Sequence, residues 1–159
     1  MTDASANPLL ALSTLPYGLP DYREIEPQHY LPAFEVAFAE HRREIDAITR
    51  ARSMPTFENT LVALESSGDL LGRVARTFYT VSSADATAEI QQIEETLAPL
   101  MSAHSDSIQL DAQLYWRIKT LHEQLDALAE DFIRSGGGVP NFQLVPGYVN
   151  TLCTSVNDE

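Results

Sequence analysis

Four stretches of the chain carry apolar residues at alternating spacings of four and three, the period of a helix with one buried face. In HYLPAFEVAFAEHRREIDAITRA the stripe is Phe34, Phe38, His41, Ile45 and Ile48, and Pro32 falls in the first turn, where a missing backbone donor is tolerated. In MPTFENTLVALESSGDLLGRVARTFYTVSSA, Thr56 can cap a helix after Pro55. Phe57, Leu61, Leu64, Gly68, Leu71, Ala75 and Phe78 then share one seam. That seam keeps its phase through Gly68, so the pattern predicts one continuous helix from about Phe57 to Val81, with Gly68 admitting a close neighbour. A third helix is predicted through TAEIQQIEETLAPLMSAHSDSI. It buries Ile90, Ile93, Leu97, Leu100 or Met101, and His104, and Pro99 should kink it. The fourth, DAQLYWRIKTLHEQLDALAEDFIR, has Asp111 as its cap and a seam of Leu114, Ile118, Leu121, Leu125, Leu128 and Phe132.

The flanks read differently. Residues 1–26 carry Pro8, Pro16, Gly18 and Pro20 among scattered aromatics, which predicts an extended arm laid over a surface. The run SGGGVP ends regular structure, and residues 135–159 form an irregular tail whose alternating aliphatic and polar residues allow at most a short strand. The resulting expectation is an all-α fold: the arm, a helical domain over 27–134 built as a bundle of about four long antiparallel helices, and the tail. No internal repeat marks a solenoid.

Composition narrows the partners. A hydrophobic share of 44% with 21% charged residues in 159 residues fits one folded domain with its own core. Ten basic against 23 acidic residues give a formal charge of -13, which repels phosphate backbones and anionic lipid surfaces, so neither nucleic acid nor membrane is an expected partner. The first twenty residues lack the basic and apolar regions of a secretory signal, and no later run is long enough to span a bilayer; a cytoplasmic location is the expectation. Cys153 is the one cysteine and has no flanking base, so it reads as an ordinary thiol.

One short stretch raises a chemical question. His122-Glu123-Gln124-Leu125-Asp126 is the frame of the HExxH zinc-protease motif with its second histidine replaced by a carboxylate. A carboxylate can ligate zinc, but a third protein ligand is needed as well. After Asp126 the candidates are Glu130 and Asp131 on the same helix and Asp158 and Glu159 at the chain end. The simpler reading is a helix-surface histidine with a carboxylate one turn on. His29 precedes the first helix, and His41 and His104 lie on apolar faces as core or rim residues. There is no nucleophile elbow, P-loop or dinucleotide turn, and the glycines of SGGGVP follow a helix, the wrong polarity for a phosphate cradle. Glu94-Glu95 reads as a solvated helix face. No catalytic, metal-binding or cofactor-binding residue is therefore assigned.

The segments EPQHYLPAFEVAF, PTFENTLVALESSGDLLGRV, FYTVSSADATAEIQQIEETLAPLMSAHSDSI and LDAQLYWRIKTLHEQ closely resemble the amino-terminal helical region of the zinc peptidases related to thimet oligopeptidase, its bacterial oligopeptidase and peptidyl-dipeptidase branch above all. The resemblance covers roughly residues 7 to 128. It implies a wall of a peptide channel in a much longer, almost wholly helical, cytoplasmic enzyme. The HExxH zinc site and the groups that steady the transition state lie in the carboxy-terminal half of such enzymes. EDFIRSGGG resembles a later family segment without the stretch that should precede it, and the tail from Val139 resembles nothing in the family. A truncated or rearranged product is therefore expected, without zinc or activity of its own. Its expected partners are peptides, a separate catalytic half, or further copies associating through uncovered apolar surface. The alternatives are a free-standing helical module that binds a peptide or a partner helix, and an inert remnant.

Overall fold

The computed structural model describes residues 7–152, so Cys153, Asp158 and Glu159 lie outside the described residues. Every regular element in this range is helical. After a 3₁₀ turn at Pro27–His29 the chain forms α1 (Tyr30–Thr49). A π-helical turn at Phe57–Val62 runs into the short α2 (Ala63–Glu65). Three long helices follow: α3 (Asp69–Ala84), α4 (Ala88–Gln109) and α5 (Ala112–Ser135). With α1 these are the four long helices of the expected all-α fold, and α1 touches all three others.

The α1 stripe behaves as its spacing predicts. Phe34, Phe38, Ile45 and Ile48 are buried, with His41 half-buried among them. Phe34 and Tyr30 meet the edge of Phe78 from α3 at centroid distances of 5.8 and 5.0 Å. Around these rings Val74, Ile90, Ile93 and Leu97 close the main core. Each fully buried aromatic contributes roughly 1.5–3 kcal/mol. On α4 the buried choice between Leu100 and Met101 falls to Met101, which packs on the core while Leu100 stays exposed. A smaller cluster of Ile45, Ile48 and Leu114 joins the far end of α1 to the start of α5.

The helix starts follow capping chemistry. Thr87 Oγ1 accepts the Ile90 amide at 3.3 Å, and Asp111 accepts the amides of Gln113 and Leu114, both at 2.8 Å. Thr56 Oγ1 accepts the Asn59 amide while Asn59 Oδ1 accepts the Thr56 amide, a reciprocal box. In the arm, Leu9 enters the core, and Arg73 of α3 donates to the carbonyls of Leu10 and Ala11.

Two expectations are corrected. Gly68 does not lie inside a continuous helix: its φ of 74° is left-handed and separates α2 from α3. Periodicity missed this break because the apolar seam resumes in phase on the other side. The neighbour Gly68 admits is a side chain, since a Cβ there would stand 2.9 Å from the His41 ring. Second, the seams are only partly covered. Phe57 is exposed, and on α5 burial ends after Leu121, leaving Leu128 67% and Phe132 79% exposed. The tail agrees with the irregular segment expected: among the described residues it forms no strand, has a 3₁₀ turn at Phe142–Leu144 and folds back on α5.

Candidate functional site

The frame His122 to Asp126 lies within α5. Asp126 is turned toward the tail, where its carboxylate accepts the amides of Thr151 at 2.8 Å and Leu152 at 2.7 Å. Glu123 is exposed and pairs with Lys119 at 3.4 Å. Glu130 accepts from Arg134 and Gln143 at 2.7 and 3.1 Å, and Arg134, with Gln143 next, holds its carboxyl below the usual carboxylate range. These residues do not fit a zinc site. The carboxylate standing where the second histidine would be is committed to backbone amides, and among the described residues no group of three His, Cys, Asp or Glu side chains could hold a metal.

The structure brings together two other histidines that the sequence left apart. His41 of α1 and His104 of α4 meet with Nδ1 of the first 3.0 Å from Nε2 of the second. His41 Nε2 lies 3.2 Å from Ser67 Oγ, and Ser67 donates its single hydroxyl proton to the Leu64 carbonyl at 2.6 Å. This order assigns both tautomers. Ser67 must accept from His41, so His41 carries its proton on Nε2; His41 Nδ1 then accepts from His104 Nε2. His104 Nδ1 is left as a bare acceptor, buried and without a partner. Burial is the main influence lowering the pKa of both rings, opposed at His41 by Glu44 and reinforced at His104 by His41 and Arg42. Ser67 is not set up as a nucleophile, because its hydroxyl proton goes to the Leu64 carbonyl and not to a histidine base.

Sequence reasoning also missed Arg117, which is 1% exposed. Its guanidinium donates to the carbonyls of Ala51 and Ser53, both at 3.2 Å, to Asn59 Oδ1 at 2.8 Å and to Thr60 Oγ1 at 3.2 Å. It therefore ties α5 to the loop and π-helical turn before α2. The only cue was its place between Leu114 and Leu121 on the buried side of the heptad. The groove between the arm and the α3–α4 turn, about 440 Å³, is lined by Tyr22, Ile25, Tyr30, Val81 and Ile90, with Asp85 as its one carboxylate. It holds no hydrolytic pair.

The described residues thus offer a helical scaffold with an exposed apolar face on α5. No protein-family profile matches the chain. Individual relatives do. The dipeptidyl carboxypeptidase of Salmonella typhimurium is 39% identical over 127 residues, 80% of this chain and 19% of the relative. That of Escherichia coli is 36% identical over 125 residues, and oligopeptidase A of Escherichia coli is 26% identical over 147 residues, which is 84% of this chain and 21% of the relative. The chain spans about a fifth of the length of the relatives it matches. Over about four-fifths of its own length it is a homologue of dipeptidyl carboxypeptidase and oligopeptidase A, peptidases of the thimet oligopeptidase family.

Proposed function

We propose that this chain is the amino-terminal helical portion of a peptidyl-dipeptidase or oligopeptidase-type peptidase. In this reading it forms part of the wall around a peptide channel, and the zinc and the catalytic groups are supplied from elsewhere. The observation that carries the reading is the half-covered seam of α5. Its residues keep the four-three spacing of a buried face through Leu125, Leu128 and Phe132, yet these three are exposed. A helix patterned for burial along its full length and covered only at its start fits a segment that packs against more protein. The homology to much longer peptidases supports reading that protein as the remainder of such a peptidase. Alone, the same face favours self-association.

Metal analysis after dialysis and a dipeptide-release assay test this reading. The expected result is no stoichiometric zinc and no hydrolysis of short peptides. One tightly held zinc, lost on His122→Ala together with dipeptide release, would overturn it. A second reading, a free-standing module that binds a peptide or partner helix, is favoured by one observation: the tail already lies along α5 through Asp126 and Glu130.

A further inference from the structure

The pair of half-buried His41 and buried His104 has no place in the reading above, and its geometry sets a rule for protons. In the neutral chain every donor from His104 through His41 to Ser67 has an acceptor. An added proton has two places to go. On His104 Nδ1 it would create a buried cationic N–H with no acceptor. On His41 Nδ1 it would set two N–H groups face to face across 3.0 Å and break the bond between the rings. Either proton forces a rearrangement.

The charged groups around the pair decide what rearranges. Glu44 and Arg42 act on the rings from α1, and α4 contributes His104 itself. The turn at 66–68 offers the Ser67 hydroxyl and the Gly68 amide, while Asp69, which opens α3, is exposed. Glu44 follows His41 by three residues on the same helix, and its Oε2 accepts the Gly68 amide at 2.7 Å. It is thus the carboxylate that holds the left-handed turn and also the one that attracts a charge on His41.

We propose that His41, His104 and Glu44 form a proton-operated latch on the Gly68 turn: one proton taken up by the imidazole pair draws Glu44 from the Gly68 amide onto the ring and frees the joint between α2 and α3. The neutral state holds the joint through the Glu44 bond, which the proton removes, while the His41–Ser67 contact persists because Nε2 remains a donor. What is freed is the segment that presents Phe57 and Val62 to solvent.

The test uses the whole chain, following both imidazoles and amide exchange by NMR from about pH 8 to about pH 5. The latch predicts that the rings titrate as one coupled unit and that protection of the Gly68 amide falls at least about tenfold, while Val74 in the core keeps its protection. In Glu44→Gln the amide retains a neutral acceptor but the attraction to the ring is lost, so the rings still titrate and Gly68 protection stays constant. Constant Gly68 protection in the wild type while the rings titrate would overturn the proposal. So would an equal loss in Glu44→Gln, or loss at Gly68 and Val74 together, which would be global unfolding.

Discussion

The guanidinium of Arg117 donates to the side-chain oxygen of Asn59 at 2.8 Å, and that same oxygen accepts the Thr56 amide and the Thr60 hydroxyl. A full charge from α5 is thereby built into the start of the π-helical turn. Its four acceptors are all neutral, and among the described residues no carboxylate pairs with it. Burying an unpaired cation is costly, so the site is stable only while the acceptors converge.

Arg117→Ala should therefore destabilise the chain by on the order of 2–3 kcal/mol, since it removes a buried side chain and deprives the buried Thr60 hydroxyl and three less buried acceptors of their shared donor. Arg117→Lys should recover only part of this loss, because an ammonium cannot reproduce the planar fork. Urea melts of both variants check it. A loss below about 1 kcal/mol for Arg117→Ala would mean that water replaces the guanidinium.

Gly68→Ala should cost about 2–3 kcal/mol, combining a left-handed backbone with a Cβ set against the His41 ring. Asn tolerates the backbone better but brings the same Cβ, so Gly68→Asn should recover only part of the loss. Urea midpoints of the two variants, read beside the His41 ring signals, decide this. Wild-type stability in either one would contradict the crowded left-handed turn.

The contrast between these two sites shows what the pattern of residues could and could not convey. The α1 stripe was legible because Phe34, Phe38, Ile45 and Ile48 act through burial, which depends on spacing alone. Gly68 and Arg117 were not, because each is decided by a partner distant in sequence: His41 is 27 positions before the first, and the acceptors Ala51 to Thr60 are more than fifty before the second. The meeting of His41 and His104 was hidden for the same reason, although both were placed on the correct faces. In HEQLD the short pattern was visible, but the commitment of Asp126 to the amides of Thr151 and Leu152 belongs to the fold-back of the tail.

Stability should depend on pH through the histidine pair. Burial depresses both rings below the ordinary value of 6.5, so between that value and the folded ones the unfolded chain binds more protons than the native chain. Their contribution is then complete above about pH 7 and is lost as the pH falls through 6.5. Urea melts at successive pH values should show the decline, and it should be smaller in His104→Gln. An identical pH profile in that variant would show that other groups govern the acid limb.

Loss of the Asp126 carboxylate should free the tail without unfolding the helices. In Asp126→Ala, protease cleavage within residues 139–152 should quicken about tenfold, while the urea midpoint reflects a change below about 1 kcal/mol. Unchanged cleavage would mean that Glu130 and Gln143 hold the tail unaided.

The most direct measurement of the proposed role is complementation. The dipeptidyl carboxypeptidase of Escherichia coli would be prepared without the 125 residues that match this chain, then mixed either with this chain or, as a control, with its own missing segment. If the chain is the amino-terminal part of such a peptidase, it binds the remainder and raises dipeptide release at least about tenfold, and Leu128→Asp with Phe132→Asp abolishes both effects. If the relative's own segment restores activity while this chain neither binds nor activates, and alone remains a monodisperse monomer that takes up no hydrophobic dye, the account is contradicted.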